Sequence, residues 1–111
     1  MTVRSMVKEI QREVLTGDLL PARTSSLLLT LTSLMGSCAE EIREADMAYA
    51  HVLLAHLDSE TKANRAKIRA ETTPEYQRKR EARDTRELVV ELIRSLRAAL
   101  RALQEEMRLT R

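Results

Sequence analysis

The chain has 111 residues, of which 43% are hydrophobic and 32% charged, and it contains two Gly, two Pro and neither Phe nor Trp. This composition is typical of long helices and coiled coils rather than of a thick globular core, and the length predicts one helical domain over residues 1–111. The net charge of +2 makes the chain only mildly basic, and its one cysteine excludes a disulfide framework within the chain.

The N-terminus carries no recognisable export signal. It lacks an apolar run and contains Lys8, Glu9, Arg12 and Glu13, which a signal peptide would not place there. The longest apolar stretches are also too short to span a bilayer. The sequence therefore predicts a cytoplasmic protein without a membrane partner.

The first predicted element is a short amphipathic helix from about residue 3 to residue 15. Its apolar side chains recur on one face, and its charged side chains fall on the other. Gly17 follows at a position suited to the left-handed conformation that ends many helices. We therefore expect a turn at residues 16–18.

The second predicted helix runs from about residue 21 to residue 71, with Pro21 in its first turn. Its main feature is a seam of thirteen positions spaced alternately three and four apart, as in a coiled coil. The seam consists of Leu28, Leu31, Met35, Cys38, Ile42, Ala45, Tyr49, Val52, His56, Ser59, Ala63, Ala66 and Ala70. Another helix must cover this stripe. Gly36 is the weak point of this helix, and either a kink or a close helix crossing would explain it.

The third predicted helix runs from about residue 74 to residue 109. Thr73 suits the N-cap and Pro74 the first helical position. Its seam is Val89, Ile93, Leu96, Leu100, Leu103 and Met107. Because the connection at residues 72–75 is short, the second and third helices should fold back on each other. The predicted fold is all-α: a short N-terminal amphipathic helix plus a long antiparallel, coiled-coil-like helical hairpin.

The leucine-rich start of the second helix predicts an oligomer. It would extend past the end of the third helix, and leucines nearly all round it require burial. The first helix, a second protomer or both could cover it. We expect an oligomeric helical bundle, with a homodimer as the default. The candidate interface residues are Val3, Val7, Ile10, Val14, Leu27, Leu28, Leu31, Leu34 and Met35.

The predicted hairpin tip is rich in basic residues. Positions 62–80 hold seven Lys/Arg and two Asp/Glu. Lys and Arg contacts to phosphates supply most of non-specific nucleic-acid affinity, so a DNA, RNA or nucleotide ligand is one interpretation. An acidic protein partner is another, and a solvated coiled-coil end with pairs such as Arg80–Asp84 is a third. The candidate anion-binding residues are Lys62, Arg65, Lys67, Arg69, Arg78, Lys79, Arg80 and Arg83.

The remaining polar residues do not predict catalysis. Glu40, Glu41, Glu44 and Asp46 lack the Glu-x-x-His motif of di-iron bundles, and a solvated acidic face explains them. His51 and His56 do not share a helix face, although His56 on the seam could tune assembly with pH. Cys38 lies among apolar neighbours, where a thiol is inert. We predict no enzyme activity, no metal site and no cofactor.

Three segments give the chain a resemblance to small helical proteins of tailed bacteriophages and prophages. They are LLPARTSSLLLTLTSL at Leu19–Leu34, AETTPEYQRKREARDT at Ala70–Thr85 and the terminal EEMRLTR. The resemblance implies a bacterial host cytoplasm and a role in phage DNA metabolism or counter-defence, and it supplies no catalytic residues. Together with the seam it favours a non-enzymatic oligomeric scaffold that binds other proteins. The alternative is an accessory protein that binds nucleic acid, a nucleotide or another anion through the basic tip.

Overall fold

The structure, a computed structural model, describes residues 2–110 and consists of four helices. They are α1 (Val3–Leu15), α2 (Pro21–Ser59), α3 (Ala63–Ala70) and α4 (Pro74–Leu109), and residues 2–110 contain no β-strand. The predicted all-α class is confirmed. The helices form an elongated body of 72 × 23 × 20 Å. None of the described helices is long and apolar enough to cross a membrane.

Local side-chain chemistry sets the starts of α1 and α4. The hydroxyl of Thr2 accepts a hydrogen bond from the Ser5 amide at 3.1 Å, and the hydroxyl of Thr73 accepts one from the Tyr76 amide at 3.3 Å. These threonines satisfy amide groups that have no partner within the helix. Both helices therefore span the residues that the sequence predicts.

Gly17 ends the turn after α1 with a φ of +82°. Its amide donates a hydrogen bond to the Val14 carbonyl at 3.1 Å, which closes the last turn of the helix. Nothing lies within 4 Å of a Cβ placed on this residue. The glycine is therefore required by backbone conformation and not by space.

We expect Gly17→Ala to lower the free energy of unfolding by about 1 kcal/mol, because an L side chain strains the left-handed region. Urea denaturation, monitored by the circular dichroism signal of the helices, measures the change. Gly17→Asn is the matched control and should cost less, since Asn tolerates this conformation. An alanine variant as stable as the wild type would contradict the role assigned to the backbone.

The second helix is shorter than predicted. The sequence predicts one helix over residues 21–71, but α2 ends at Ser59 and α3 begins at Ala63. Glu60 and Lys62 have extended backbone, so the chain reverses here and α3 packs back on α2. Arg69 pairs with Glu60 at 2.8 Å, and Ala66 and Ala70 are fully buried. In the structure α2 covers these two alanines, and this burial outweighs helix continuation.

The reversal therefore lies at residues 60–62 and not at residues 72–75. Thr72 and Thr73 instead separate α3 from α4, and both of these helices pack on α2. Tyr49 contacts Tyr76 near the reversal, and Thr24 lines a cavity with Leu96 at the far end. The helices α2 and α4 are therefore antiparallel. Because the chain reverses earlier than predicted, α4 extends past the start of α2. The sequence predicts instead that the second helix extends past the end of the third.

The core is a single layer between α1, α2 and α4. Its buried members are Val7, Ile10, Leu27, Leu31, Leu34, Cys38, Val89, Leu92 and Leu96. Leu27 and Leu34 are buried, whereas the predicted seam residues Leu28 and Met35 are half-buried. Two helices, α1 and α4, cover this part of α2. The buried stripe is therefore shifted by one residue at these two positions only, because the seam residues Leu31, Cys38, Ala45 and Tyr49 are buried as predicted.

Candidate interaction surfaces

Acidic side chains of α2 form ion pairs with arginines of α4. Arg78 donates to both carboxylate oxygens of Glu41, at 2.7 and 3.1 Å, and reaches Glu44 at 3.4 Å. Arg83 pairs with Asp46 at 2.8 Å. Three of the four acids predicted to form a solvated face therefore tie α2 to α4. Among residues 2–110, no three His, Cys, Asp or Glu side chains are grouped to hold a metal ion.

The hydrogen bonds from Arg78 lower the pKa of Glu41 below its ordinary value of 4.5, against an opposing effect of burial. The unfolded chain therefore binds the proton more readily than the folded chain does. Stability from this pair is present above the ordinary pKa and is lost as the pH falls through the lowered one.

We expect Glu41→Gln to cost about 0.3–1 kcal/mol of unfolding free energy at pH 7, as for other partly exposed ion pairs. The cost should shrink in acid, below the lowered pKa, because the wild-type carboxylate is then protonated too. Urea denaturation at neutral and acidic pH measures both values. Glu105→Gln is the control, since Glu105 pairs with Arg108 inside α4 and joins no two helices. Equal losses for the two variants would contradict the bridging role.

An aromatic pair lies beside these ion pairs. The rings of Tyr49 and Tyr76 meet edge to face with centroids 5.3 Å apart. The Lys79 ammonium lies 4.6 Å from the Tyr49 centroid, and the Arg80 guanidinium carbon lies 6.0 Å from that of Tyr76. Cations at these distances are attracted to the ring faces. Two residues of the predicted anion-binding set thus contact aromatic rings of the same chain.

Five of the eight predicted anion-binding residues contact acidic or aromatic side chains of the same chain, and three form no ion pair. Arg69, Arg78 and Arg83 form ion pairs, and Lys79 and Arg80 lie over tyrosines. The remaining three, Lys62, Arg65 and Lys67, are exposed at the reversal and on α3, and make no ion pair within residues 2–110. Among the predicted anion-binding residues, positive charge without an ion-pair partner is therefore confined to one end of the rod.

The nine predicted interface residues lie mainly inside the single chain. Val7, Ile10, Leu27, Leu31 and Leu34 are buried in its core. The other four, Val3, Val14, Leu28 and Met35, are half-buried against that core. The N-terminal helix α1 covers the leucine-rich segment, which was one of the alternatives that the sequence left open. A second protomer would have to contact other residues.

Large apolar side chains are nevertheless exposed on other faces. They are Leu15, Leu20, Leu29, Met47, Leu54, Leu57, Ile68, Met107 and Leu109. Four of them, Leu29, Met47, Leu54 and Leu57, belong to α2. The predicted seam passes on the opposite side of this helix and does not include them. A second set of positions spaced alternately four and three apart is the signal that could have identified them.

Of the cysteine and the two histidines, only Cys38 is buried. Cys38 is 2% exposed, and burial raises the pKa of its thiol, so the thiolate nucleophile is disfavoured. It lines a cavity of about 440 Å³ with Arg4, Glu41 and Arg78. Arg4 itself is engaged, because it donates to the Thr85 hydroxyl at 3.0 Å. His51 is exposed and His56 half-buried.

The chain was compared with protein-family models, with curated proteins and with solved structures, and no family model, curated protein or solved structure matches it.

Proposed function

We propose that the protein is a non-enzymatic scaffold that assembles as a homodimer and binds other proteins. In this proposal α2 and the returning helices α3 and α4 form a coiled-coil-like hairpin, and α1 closes one side of it. The observation that carries the proposal is the number of large apolar side chains exposed on so thin a body: nine within residues 2–110, on a rod 23 × 20 Å across.

The argument rests on the free energy of apolar burial. Removing apolar surface from water is favourable by about 25 cal/mol per Å². A rod with one core layer has little interior, so it leaves more of its apolar side chains in solvent than a compact domain does. Exposed apolar groups that share a face mark contact sites for other chains. Four such side chains on one helix, α2, support assembly over an isolated monomer.

Light scattering over a range of concentrations tests the proposal. We expect a mass of twice 12.7 kDa that dissociates on dilution. A mass of 12.7 kDa at every concentration would contradict the homodimer.

The alternative is binding of nucleic acid or another polyanion at the reversal, and a specific observation favours it. Lys62, Arg65 and Lys67 have no acidic partner within residues 2–110, and they share one end of the rod. Lysines and arginines without intramolecular partners are available to phosphates. In this alternative Arg78 contributes little, because it is already bound to Glu41.

Fluorescence anisotropy with short single- and double-stranded DNA and RNA, at low and physiological salt, tests the alternative. Replacing Lys62, Arg65 and Lys67 with Gln should then abolish a salt-sensitive signal. The control replaces Arg86, Arg97 and Arg101, which are exposed on α4, and removes the same charge elsewhere. Equal losses from both triple variants would indicate non-specific attraction and would contradict a site on α3.

A further inference from the structure

The solvent face of α2 carries a second heptad pattern, opposite to the buried one. This pattern starts at Ala22 and ends at Leu57, and its positions are alternately four and three residues apart. Every one of these positions is exposed. Its large apolar members are Leu29, Met47, Leu54 and Leu57, which are 73%, 57%, 58% and 39% exposed. Only two of its positions are charged, and these adjoin each other in the pattern: Glu40 and Arg43. Apolar side chains at such positions are what a helix presents to another helix.

Gly36 lies on this face and has no explanation within the chain. Glycine in a helix interior costs about 1 kcal/mol relative to alanine. A Cβ placed on Gly36 would meet no atom within 4 Å, so no intramolecular contact excludes a side chain there. The helix is also continuous through this residue, which is not a helix end. The missing side chain leaves the backbone open to close approach by a group outside the chain.

We propose that a second copy of the chain docks on this face, with the two α2 helices antiparallel and the twofold axis between Glu40 and Arg43. In this register Glu40 faces the partner's Arg43, and Arg43 faces the partner's Glu40. Moving outward, Gly36 faces the partner's Met47, so the unbranched, flexible thioether side chain enters the space that the glycine leaves. Ser33 then faces the partner's Ala50, and Leu29 faces the partner's Leu54.

Charge selects this orientation over the parallel one. A parallel pair would place Glu40 against Glu40 and Arg43 against Arg43, and like charges across an interface suppress association. The antiparallel pair matches opposite charges at the axis. It also brings Arg23, which pairs with Glu13 of its own chain, near the partner's Asp58 at each rim. Within one chain Glu40 and Arg43 already pair at 2.5 Å, so each dimer exchanges two internal pairs for two intermolecular ones.

This inference rests on the proposed homodimer, and it names the surface that forms it. Charge reversal tests the surface. Glu40→Lys and Arg43→Glu, each alone, should raise the dimer dissociation constant at least tenfold, because each places like charges at the axis. An equimolar mixture of the two variants should recover the wild-type mass in light scattering, because every cross-axis pair is then opposite in charge. Ala98→Lys, at an exposed position on α4, is the control and should leave the mass unchanged.

Disulfide trapping tests the orientation. Leu29→Cys and Leu54→Cys chains, one of them isotope-labelled, are mixed and oxidised with the buried Cys38 left in place. The antiparallel register predicts a mixed disulfide between the two variants, and a Leu15→Cys chain mixed with the Leu54→Cys chain should give none. A homodisulfide of the Leu29→Cys chain would instead indicate a parallel pair and overturn the inference.

The outcomes separate the inference from the proposed function. A wild-type dimer that ignores both charge reversals would overturn the α2 surface and leave the scaffold proposal standing. A wild-type monomer would overturn both. A dimer weakened by each reversal, restored by mixing and trapped by the mixed disulfide would support both.

Discussion

Leu31→Ala should lower the free energy of unfolding by about 2–5 kcal/mol, the range for truncating a buried leucine. Leu31 is fully buried where α1, α2 and α4 meet. The cost should lie toward the upper end, because the core is one layer thick and contains no Phe or Trp that could fill the space. Urea denaturation followed by circular dichroism gives the value.

Leu15→Ala provides the comparison. Leu15 is 77% exposed at the end of α1, so its truncation removes no buried contact. We expect a change of less than about 0.5 kcal/mol, as for most surface substitutions. Similar losses for Leu31→Ala and Leu15→Ala would mean that the stability of the chain does not come from the α1–α2–α4 layer.

Some features of this fold are encoded by a few adjacent residues, and these were predictable. Thr73 and Pro74 fix the start of α4 because a hydroxyl cap and a fixed φ act over a single turn. Gly17 likewise fixes the end of the turn after α1. In both places the sequence predicts the helix limit, and the structure has it there.

The break at residues 60–62 has no comparable local signal. Neither Gly nor Pro occurs there, and the chain reverses because α3 gains burial of Ala66 and Ala70 by returning to α2. Burial of this kind depends on tertiary contact, which overrides helix propensity. Moving the reversal toward the N-terminus also changes which helix overhangs, and so which apolar residues remain exposed.

The candidate surfaces also combine features that the sequence predicts with features that depend on tertiary contacts. Sequence reasoning identified the positive charge around residues 62–83, since charge can be counted. It could not assign partners, and Arg78 and Arg83 proved to be bound to acids 37 positions away. The sequence does not single out the exposed face of α2, because a stronger apolar seam runs along the same helix. Only the exposure of each side chain separates the two.

A substitution that disrupts the packing of α1 should also lower the free energy of unfolding by a large amount. Val7 is fully buried against α2 and α4, and α1 is only thirteen residues long. Isolated helices of this length are marginal in water, so α1 depends on its packing. We expect Val7→Asp to destabilise the chain by at least about 3 kcal/mol, because an unpaired charge would be buried or α1 would detach. Urea denaturation gives the magnitude, and tryptic cleavage after Arg12 reports detachment.

Leu15→Asp introduces the same side chain on the same helix at an exposed position. It should cost less than about 1 kcal/mol, including the unfavourable placement of a negative charge at a helix C-terminus. If Val7→Asp speeds cleavage after Arg12 while α2 and α4 keep their helicity, α1 is a separable cover over Leu27 and Leu34. If the whole chain unfolds at once, α1 is an integral part of a single cooperative core. A Val7→Asp chain as stable and protease-resistant as the Leu15→Asp chain would contradict the packing of α1 described here.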